Sequence, residues 1–377
     1  MPSSEPGKAL RIAMVIDTFG DVRNGAVIST QRFTGMLRKD GHRVTIVSTG
    51  EAEVDKVVLK TFYPPFAEGI MRRMNFIFAW PDHRKIREAI READVVHIQF
   101  PFYLGFTTAK IAKNQHKPIV ASFHVQAEQL LHNVGVKNRW LIKLVYRIFI
   151  RFLYDKADIV ICPSRFAETE IKRYGLTTPT AVISNGITDD YKVFDFPRKY
   201  PDQFVLLTVG RNAAEKRQDW LIRAVAASRY KNNIKVIIVG NGPLREHLVR
   251  TGETLLDGNV DFEYLPPHEV VRLYNTSDLY VHCAEAEVEC MTALEAMACG
   301  LPLLIADAPL SAARQFALDE RHLFPNVADL TRRIEYWYEN DEALKQAKTQ
   351  YLHLAEQYRI ETSYEKLKAV YLALAVP

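Results

Sequence analysis

Arg11-Ile-Ala-Met-Val-Ile16 leads into Asp17-Thr-Phe-Gly-Asp-Val-Arg-Asn-Gly-Ala26, then a helix-forming run from about Ile28 to Lys39, then Asp40-Gly41 and Arg43-Val-Thr-Ile-Val-Ser48. The first run is continuously apolar after Arg11, as expected of a strand covered on both faces, and the second reads as the next strand. Two such strands joined by a helix make a βαβ unit, and Asp40-Gly41 suits the end of that helix. The unit opens a doubly wound parallel sheet, whose ligands bind beyond the C-terminal ends of the strands. The loop after the first strand, with Gly25 at its tip, is therefore a candidate ligand contact.

The strand-then-polar-loop pattern continues outward from there. Asp94-Val-Val-His-Ile-Gln-Phe100 and Pro118-Ile-Val-Ala-Ser-Phe-His124 each place a histidine near a strand end, and Ile159-Val-Ile-Cys-Pro-Ser164 and Ala181-Val-Ile-Ser-Asn-Gly186 follow. Ile187 to Gln203, rich in Asp, Tyr and Pro, reads as a linker. A second series starts with Phe204-Val-Leu-Leu-Thr-Val-Gly-Arg211, then Asn-Ala-Ala-Glu-Lys-Arg217 and a helix from near Asp219. Arg211 and Lys216 share that loop. A guanidinium fork beside an ammonium suits a diphosphate, with solvated loop cations as the plain alternative. Lys235-Val-Ile-Ile-Val-Gly-Asn-Gly-Pro243 holds Gly-x-Gly, but Pro243 follows and no third glycine comes at the fingerprint spacing, so a dehydrogenase is rejected. The fold class is α/β, with two Rossmann-like doubly wound parallel-sheet domains: residues 1–187, a linker 188–203, residues 204–358, and a C-terminal helix 359–377.

Leu279-Tyr280-Val281-His282 is β-prone, and Ala286-Glu-Val-Glu-Cys-Met-Thr-Ala-Leu-Glu-Ala-Met-Ala-Cys-Gly300 follows, so the order is strand, polar loop, helix, with Gly300 and Pro302 as the stop. Glu287 falls in the loop and Glu295 in the helix. A helix N-terminus near Cys290 and Met291 offers N–H groups to phosphate oxygens, and two carboxylates beside it accept from sugar hydroxyls. Two solvated helix-face charges would give the same spacing. Glu287-x7-Glu295 followed by Ala-Met-Ala-Cys-Gly-Leu-Pro resembles the signature of retaining GT-B glycosyltransferases of the family-4 type, and the resemblance runs over nearly the whole chain. Ser311-Ala-Ala-Arg-Gln-Phe-Ala-Leu-Asp-Glu-Arg-His-Leu-Phe324 is similar to a bacterial subgroup acting on lipids. Many members have Gly-Phe-Gly after the first Glu, where this chain has Val288-Glu289-Cys290.

That resemblance implies a donor contact for Glu287, a ribose contact for Glu295, and a diphosphate held without metal by Arg211, Lys216 and the helix start at Met291. It assigns His124 to the donor sugar, with His97 second, and places a Gly25 loop near the diphosphate. It also implies a wall of the base pocket at Asp261–Pro266 and a last helix returning to the first domain. No cofactor is expected. The donor is a nucleoside diphosphate sugar, with UDP-glucose foremost, and the acceptor a membrane lipid such as diacylglycerol or a glycolipid. The alternatives are a soluble glycosyltransferase acting on a sugar or polysaccharide intermediate, and a non-catalytic nucleotide-binding scaffold. Glu287→Ala is expected to abolish transfer and leave the melt nearly unchanged.

The 377 residues suffice for two cores, and 48% hydrophobic with 25% charged residues is an ordinary soluble composition. Residues 1–191 hold 27 Lys and Arg against 19 Asp and Glu, and the remainder 22 against 26, so the first half is basic. Cys162, Cys283, Cys290 and Cys299 form no C-x-x-C pair and no metal spacing with His, so a reduced, metal-free protein is expected. No signal peptide or spanning helix is read. In Lys137–Tyr154, Arg139, Lys143, Arg147 and Arg151 recur every four residues beside Trp140, Leu144, Ile148, Phe149 and Phe152. Such a helix suits the headgroup region of an anionic bilayer, with a core helix of solvated edge as the alternative. Met71–Trp80 offers a second basic, aromatic segment. The expected location is the cytoplasm, peripherally on the inner face of the cell membrane, with no nucleic-acid partner.

Overall fold

A computed structural model describes residues 9–20, 24–63, 68, 77–132, 135–136 and 138–375. The chain forms two compact units, Met1–Ala127 with Lys137–Asn185 and Ser363–Pro377, and Glu128–Val136 with Gly186–Thr362.

The strands of the first unit are β1 (Arg11–Val15), β2 (Arg43–Ser48), β3 (Lys56–Val58), β4 (Lys60–Phe62), β5 (Phe78–Trp80), β6 (Val95–Ile98), β7 (Ile119–Ser122), β8 (Ile159–Cys162) and β9 (Thr180–Val182). Seven of them form one parallel sheet in the order β3-β2-β1-β6-β7-β8-β9, while β4 and β5 pair antiparallel beside it. Ile12 stands opposite both Val44 and Val95, and all three are buried because helices cover the sheet. The strand order reverses between β1 and β6, which is where a doubly wound sheet opens a crevice.

Gly25 differs from its expected place at a loop tip. It is the first residue of the helix Gly25–Lys39, whose N-cap Asn24 accepts from Ala26 N–H at 3.0 Å. The helix thus starts about three residues before the apolar periodicity does, because the cap and not the pattern sets its end.

In the second unit β10 (Phe204–Val209), β11 (Ile234–Val239), β12 (Val260–Glu263), β13 (Leu279–His282), β15 (Leu303–Ala306) and β17 (Leu323–Phe324) make a parallel sheet in the order β12-β11-β10-β13-β15-β17. Its switch point lies between β10 and β13. Two short strands, β14 (Ala286–Glu287) and β16 (Leu310–Ser311), pair with each other. The loops after β10 and β11 nest closely: a Cβ on Gly240 would lie 1.9 Å from Gly210 O, and one on Gly242 would lie 2.5 Å from Asn212 O.

Residues 188–203 are not a free linker. Tyr191 is part of the second unit's core, and Phe196 and Tyr200 pack against that core, so the apolar members of the stretch anchor it. The helix Ile360–Leu374 enters the first unit from Ser363 onward. There Tyr364 and Lys368 both donate to Asp40 Oδ2 at 2.7 Å, and Tyr371 Oη lies 2.6 Å from His97 Nδ1.

Candidate functional site

Glu287 is fixed by β14 and not by the open loop expected of it. Its neighbours come from three places in the second unit. Lys216 Nζ, on the loop after β10, donates to Glu287 Oε1. His282, the last residue of β13, places Nε2 at 3.6 Å from the same oxygen. Cys290, just ahead of the helix Met291–Ala298, places Sγ at 3.5 Å from each ring nitrogen of His282.

The electrostatics follow from this packing. Burial would raise the Glu287 carboxyl, but Lys216, His282 and Arg211 outweigh it and hold the group below its ordinary value. Burial alone would lower Lys216, and Glu287, Cys290 and Glu215 reverse the sign, so the ammonium is held charged. Burial takes His282 down to about 4 and pushes the Cys290 thiol up to about 12, so both are neutral at pH 7. The cluster at neutral pH is one ion pair flanked by a neutral imidazole and a neutral thiol.

Arg211 also has a partner. Its Nη2 meets Glu215 Oε1 at 2.5 Å, four residues on, and Glu215 is itself buried. Glu215 O in turn accepts from Glu285 N–H at 2.8 Å, tying the β10 loop to the segment before β14. Glu215 and His282 were missed in the sequence. Glu215 sits at i+4 from Arg211 within Gly-Arg-x4-Lys, and His282 precedes Glu287 by five residues, so both spacings were visible. Among the described residues, Asn212 Nδ2 and Oδ1, Glu215 Oε2 and Gln218 Oε1 are buried without a protein partner, a concentration of polar atoms found at binding sites more than in cores.

Cys290 has φ 78° and ψ 70°, a left-handed conformation that a side chain rarely takes. It turns the chain into the helix at Met291, where Ala293 and Leu294 N–H donate to Cys290 O while the N–H groups of Met291 and Thr292 have no carbonyl of their own helix to bind. Tyr280 Oη, 2.7 Å from Thr292 Oγ1, braces that first turn from β13. Glu295 lies within the helix, as expected, and accepts from Tyr274 Oη at 3.1 Å. Arg211, Lys216, Glu287, Cys290, Met291 and Glu295 are thus all carried by the loop after β10 and by the β13-to-helix segment.

His124 belongs to the first unit, two residues past β7, and is half-buried. Its Nε2 is 3.1 Å from Gln99 Oε1, while Gln99 Nε2 donates to Met14 Sδ at 3.0 Å. With the amide oriented so, Nε2 carries the His124 proton and Nδ1 is the acceptor. Burial lowers its pKa to about 4. It lines a small cavity of about 20 Å³ together with His97, Ser122, Asn185 and Phe33. His97 is a structural histidine, held between Tyr371 Oη and Ser122 Oγ (2.8 Å).

The basic helix runs Arg139–Phe152 with Asn138 as its cap. Arg139, Lys143, Arg147 and Arg151 are exposed, and so are Trp140 (67%), Phe152 (48%) and Ile148 (37%). Phe149 is instead buried, against Phe102, and Leu144 is half-buried, which removes both from the face open to a bilayer. Of the second basic segment, residues 71–76 lie outside the described residues. No helix among the described residues is long and apolar enough to cross a membrane.

Residues 23–191 match the family described as Glycosyltransferase Family 4, and residues 190–351 match Glycosyl transferases group 1. The alpha-monoglucosyldiacylglycerol synthase of Streptococcus pneumoniae is 25% identical over 319 residues, 78% of this chain and 70% of the relative. A GDP-mannose-dependent alpha-mannosyltransferase of Mycolicibacterium smegmatis is 26% identical over 79% of this chain and 80% of the relative. Among solved structures, Anabaena Alr3699/HepE in complex with UDP-glucose shares the fold at a TM-score of 0.77 and 17% identity, over 96% of this chain and 99% of that one. With two consecutive family matches that together cover residues 23–351, and the shared two-sheet architecture, the chain belongs to the GT-B glycosyltransferases of the family-4 type.

Proposed function

We propose that the protein transfers a hexose, glucose foremost, from a nucleoside diphosphate sugar to a hydroxyl of a membrane lipid, retaining the anomeric configuration and using no metal. The observation that carries this reading is the cluster at the C-terminal ends of β10 and β13. There a paired Lys216 and Arg211, a carboxylate held ionised and the helix start at Met291 stand on neighbouring strands. In this reading the diphosphate draws Lys216 and Arg211, whose charge offsets what builds on the leaving oxygen. Glu287, released from Lys216, accepts from a sugar hydroxyl, and Glu295 accepts from the ribose. The C1–phosphate bond breaks as the acceptor oxygen bonds C1 on the same face, and the acceptor proton passes to the leaving phosphate oxygen. His124, with Nε2 bound to Gln99, offers Nδ1 to the sugar.

The lipid acceptor is supported by the exposed basic helix with Trp140 and Phe152 on its open side, and by the name of the pneumococcal relative. Peripheral attachment to an anionic cytoplasmic membrane face goes with it. The mannosyltransferase relatives support GDP-mannose as the second donor to test. Release of nucleoside diphosphate from UDP-glucose, GDP-mannose and other sugars, in EDTA, with and without anionic vesicles containing diacylglycerol, decides the matter. Release that one sugar supports and vesicles accelerate is expected. Release indifferent to lipid moves the acceptor to a soluble sugar, and no release from any donor leaves a binding scaffold.

A further inference from the structure

His282 Nδ1 or Nε2, a Glu287 oxygen and Cys290 Sγ all lie within 4.8 Å of one another. Zinc bonds of about 2.0–2.1 Å to nitrogen and oxygen and about 2.3 Å to sulfur, set tetrahedrally, separate neighbouring donors by roughly 3.4–3.6 Å. Here the N-to-S separation is 3.5 Å and the N-to-O separation 3.6 Å. Two of the three donor-to-donor separations therefore match those of a tetrahedral site.

Three separate elements fix those donors: the end of β13, strand β14, and the residue before the helix Met291–Ala298. The left-handed backbone at Cys290 carries the thiol to the imidazole, an arrangement a chain keeps only where its surroundings impose it. Mixed imidazole, thiolate and carboxylate donors select a borderline-soft ion over Mg²⁺ or Ca²⁺, which prefer oxygen.

We propose that His282, Glu287 and Cys290 form a binding site for a thiophilic divalent cation of the zinc class, which occupies Glu287 in place of Lys216 and thereby inhibits the enzyme. On binding, the Cys290 thiol gives its proton to solvent and the sulfur–metal bond forms, while the Glu287 oxygen exchanges its hydrogen bond from Lys216 for the metal. Lys216 keeps the nearby Glu215 charge as compensation. Three protein donors leave a fourth position for water. The cation is an inhibitor and not a cofactor, because the carboxylate it takes is the one proposed to hold the donor sugar. That inhibitory half rests on the proposed function, whereas the binding half does not.

Cobalt(II) titrated into the full chain, reduced with a phosphine, tests the binding. A saturable one-equivalent spectrum with tetrahedral visible bands and a thiolate-to-cobalt charge-transfer band is expected, and Zn²⁺ should bleach it. Cys290→Ser should lose the charge-transfer band, and His282→Asn should weaken cobalt binding at least tenfold. Cys283→Ala, outside the cluster, should keep the whole spectrum. A circular dichroism melt of each variant separates loss of a ligand from loss of the fold. A charge-transfer band that survives in a folded Cys290→Ser, or no such band in the parent chain, overturns the site. For the inhibition, Zn²⁺ should raise the KM for UDP-glucose with EDTA restoring it, and a cobalt-binding enzyme whose KM ignores Zn²⁺ overturns that half. The spectra need no turnover, so failure of the transferase reading and failure of the metal site are told apart.

Discussion

Lys216 Nζ and Glu287 Oε1 are hydrogen-bonded across 71 residues of sequence, joining the loop after β10 to β14. Their side chains are 22% and 13% exposed, so removing one leaves the other charge largely out of water. Loss of a partner from a fully buried pair costs about 3–5 kcal/mol, and partial exposure reduces this to about 1–3 kcal/mol. Glu287→Ala should therefore destabilise the second unit measurably in urea, contrary to the unchanged melt expected from sequence. Glu287→Gln should lose less stability but as much activity, with turnover down roughly 100-fold or more if the charge serves the transition state.

Asp17 is buried at the end of β1, its Oδ1 accepting from Ala79 N–H at 3.1 Å, and burial raises its pKa from 3.8 to about 7. A raised folded-state pKa gives stability that is complete below the unfolded value and is lost as pH climbs through the folded one. Between about pH 4 and 7 the unfolded carboxyl is ionised while the folded one keeps its proton, so the wild type weakens over that window by at most about 4 kcal/mol. Asp17→Asn preserves the acceptor for Ala79 and cannot ionise. Subtracting the two urea-derived stability curves should give a difference that grows from pH 4 to pH 7 and then levels. A flat difference would show that Asp17 ionises normally.

At Cys290 the positive φ costs a side chain about 1–2 kcal/mol, while the buried thiol returns roughly 1 kcal/mol in packing. Cys290→Gly should thus melt close to the wild type. Cys290→Val, branched at Cβ in the same conformation, should be less stable than either by about 2 kcal/mol or more. Equal melts for the glycine and valine variants would mean that the backbone relaxes out of the left-handed region.

Each exposed cation of the helix Arg139–Phe152 should add about 1 kcal/mol to binding of anionic vesicles at low salt. Replacing Arg139, Lys143, Arg147 and Arg151 together with Gln should abolish co-sedimentation with phosphatidylglycerol vesicles, and Trp140→Ala should weaken it without altering its salt dependence. Co-sedimentation of the four-fold variant equal to wild type would reject this surface as the membrane contact.

The parallel strands were the legible part of the fold. Arg43–Ser48 and Leu279–His282 coincide with the strands read there, because Val44, Thr45, Ile46 and Val47 in one and Tyr280 and Val281 in the other are strand formers. Gly25 was misplaced because Asn24, a cap, begins the helix before any periodicity appears. The stretch 188–203 looked like a linker by composition, yet Tyr191 is buried with Phe196 and Tyr200 packed on the same core, and aromatics scattered among Asp, Lys and Pro carry no periodic signal. In the site, Arg211, Lys216 and Glu287 could be named from spacing and family pattern. Their pairing with Glu215 and with each other could not, since side-chain partners 71 residues apart depend on which strands lie side by side. His282 was passed over because a histidine ending an apolar strand looks like any core residue until Cys290 is folded back onto it.

The contact between Tyr371 and His97 joins the end of the chain to the middle of the first sheet, 274 residues earlier. On a ribosome, β1 to β9 emerge early and then wait, through the synthesis of the entire second unit, for the segment from Ser363 that completes their packing. The second unit faces no such delay, since its own elements between Gly186 and Thr362 are nearly consecutive. A nascent chain stalled before Ser363 should therefore carry an incompletely protected first unit beside a closed second one, and loss of the segment from Ser363 would strike the half of the protein made first.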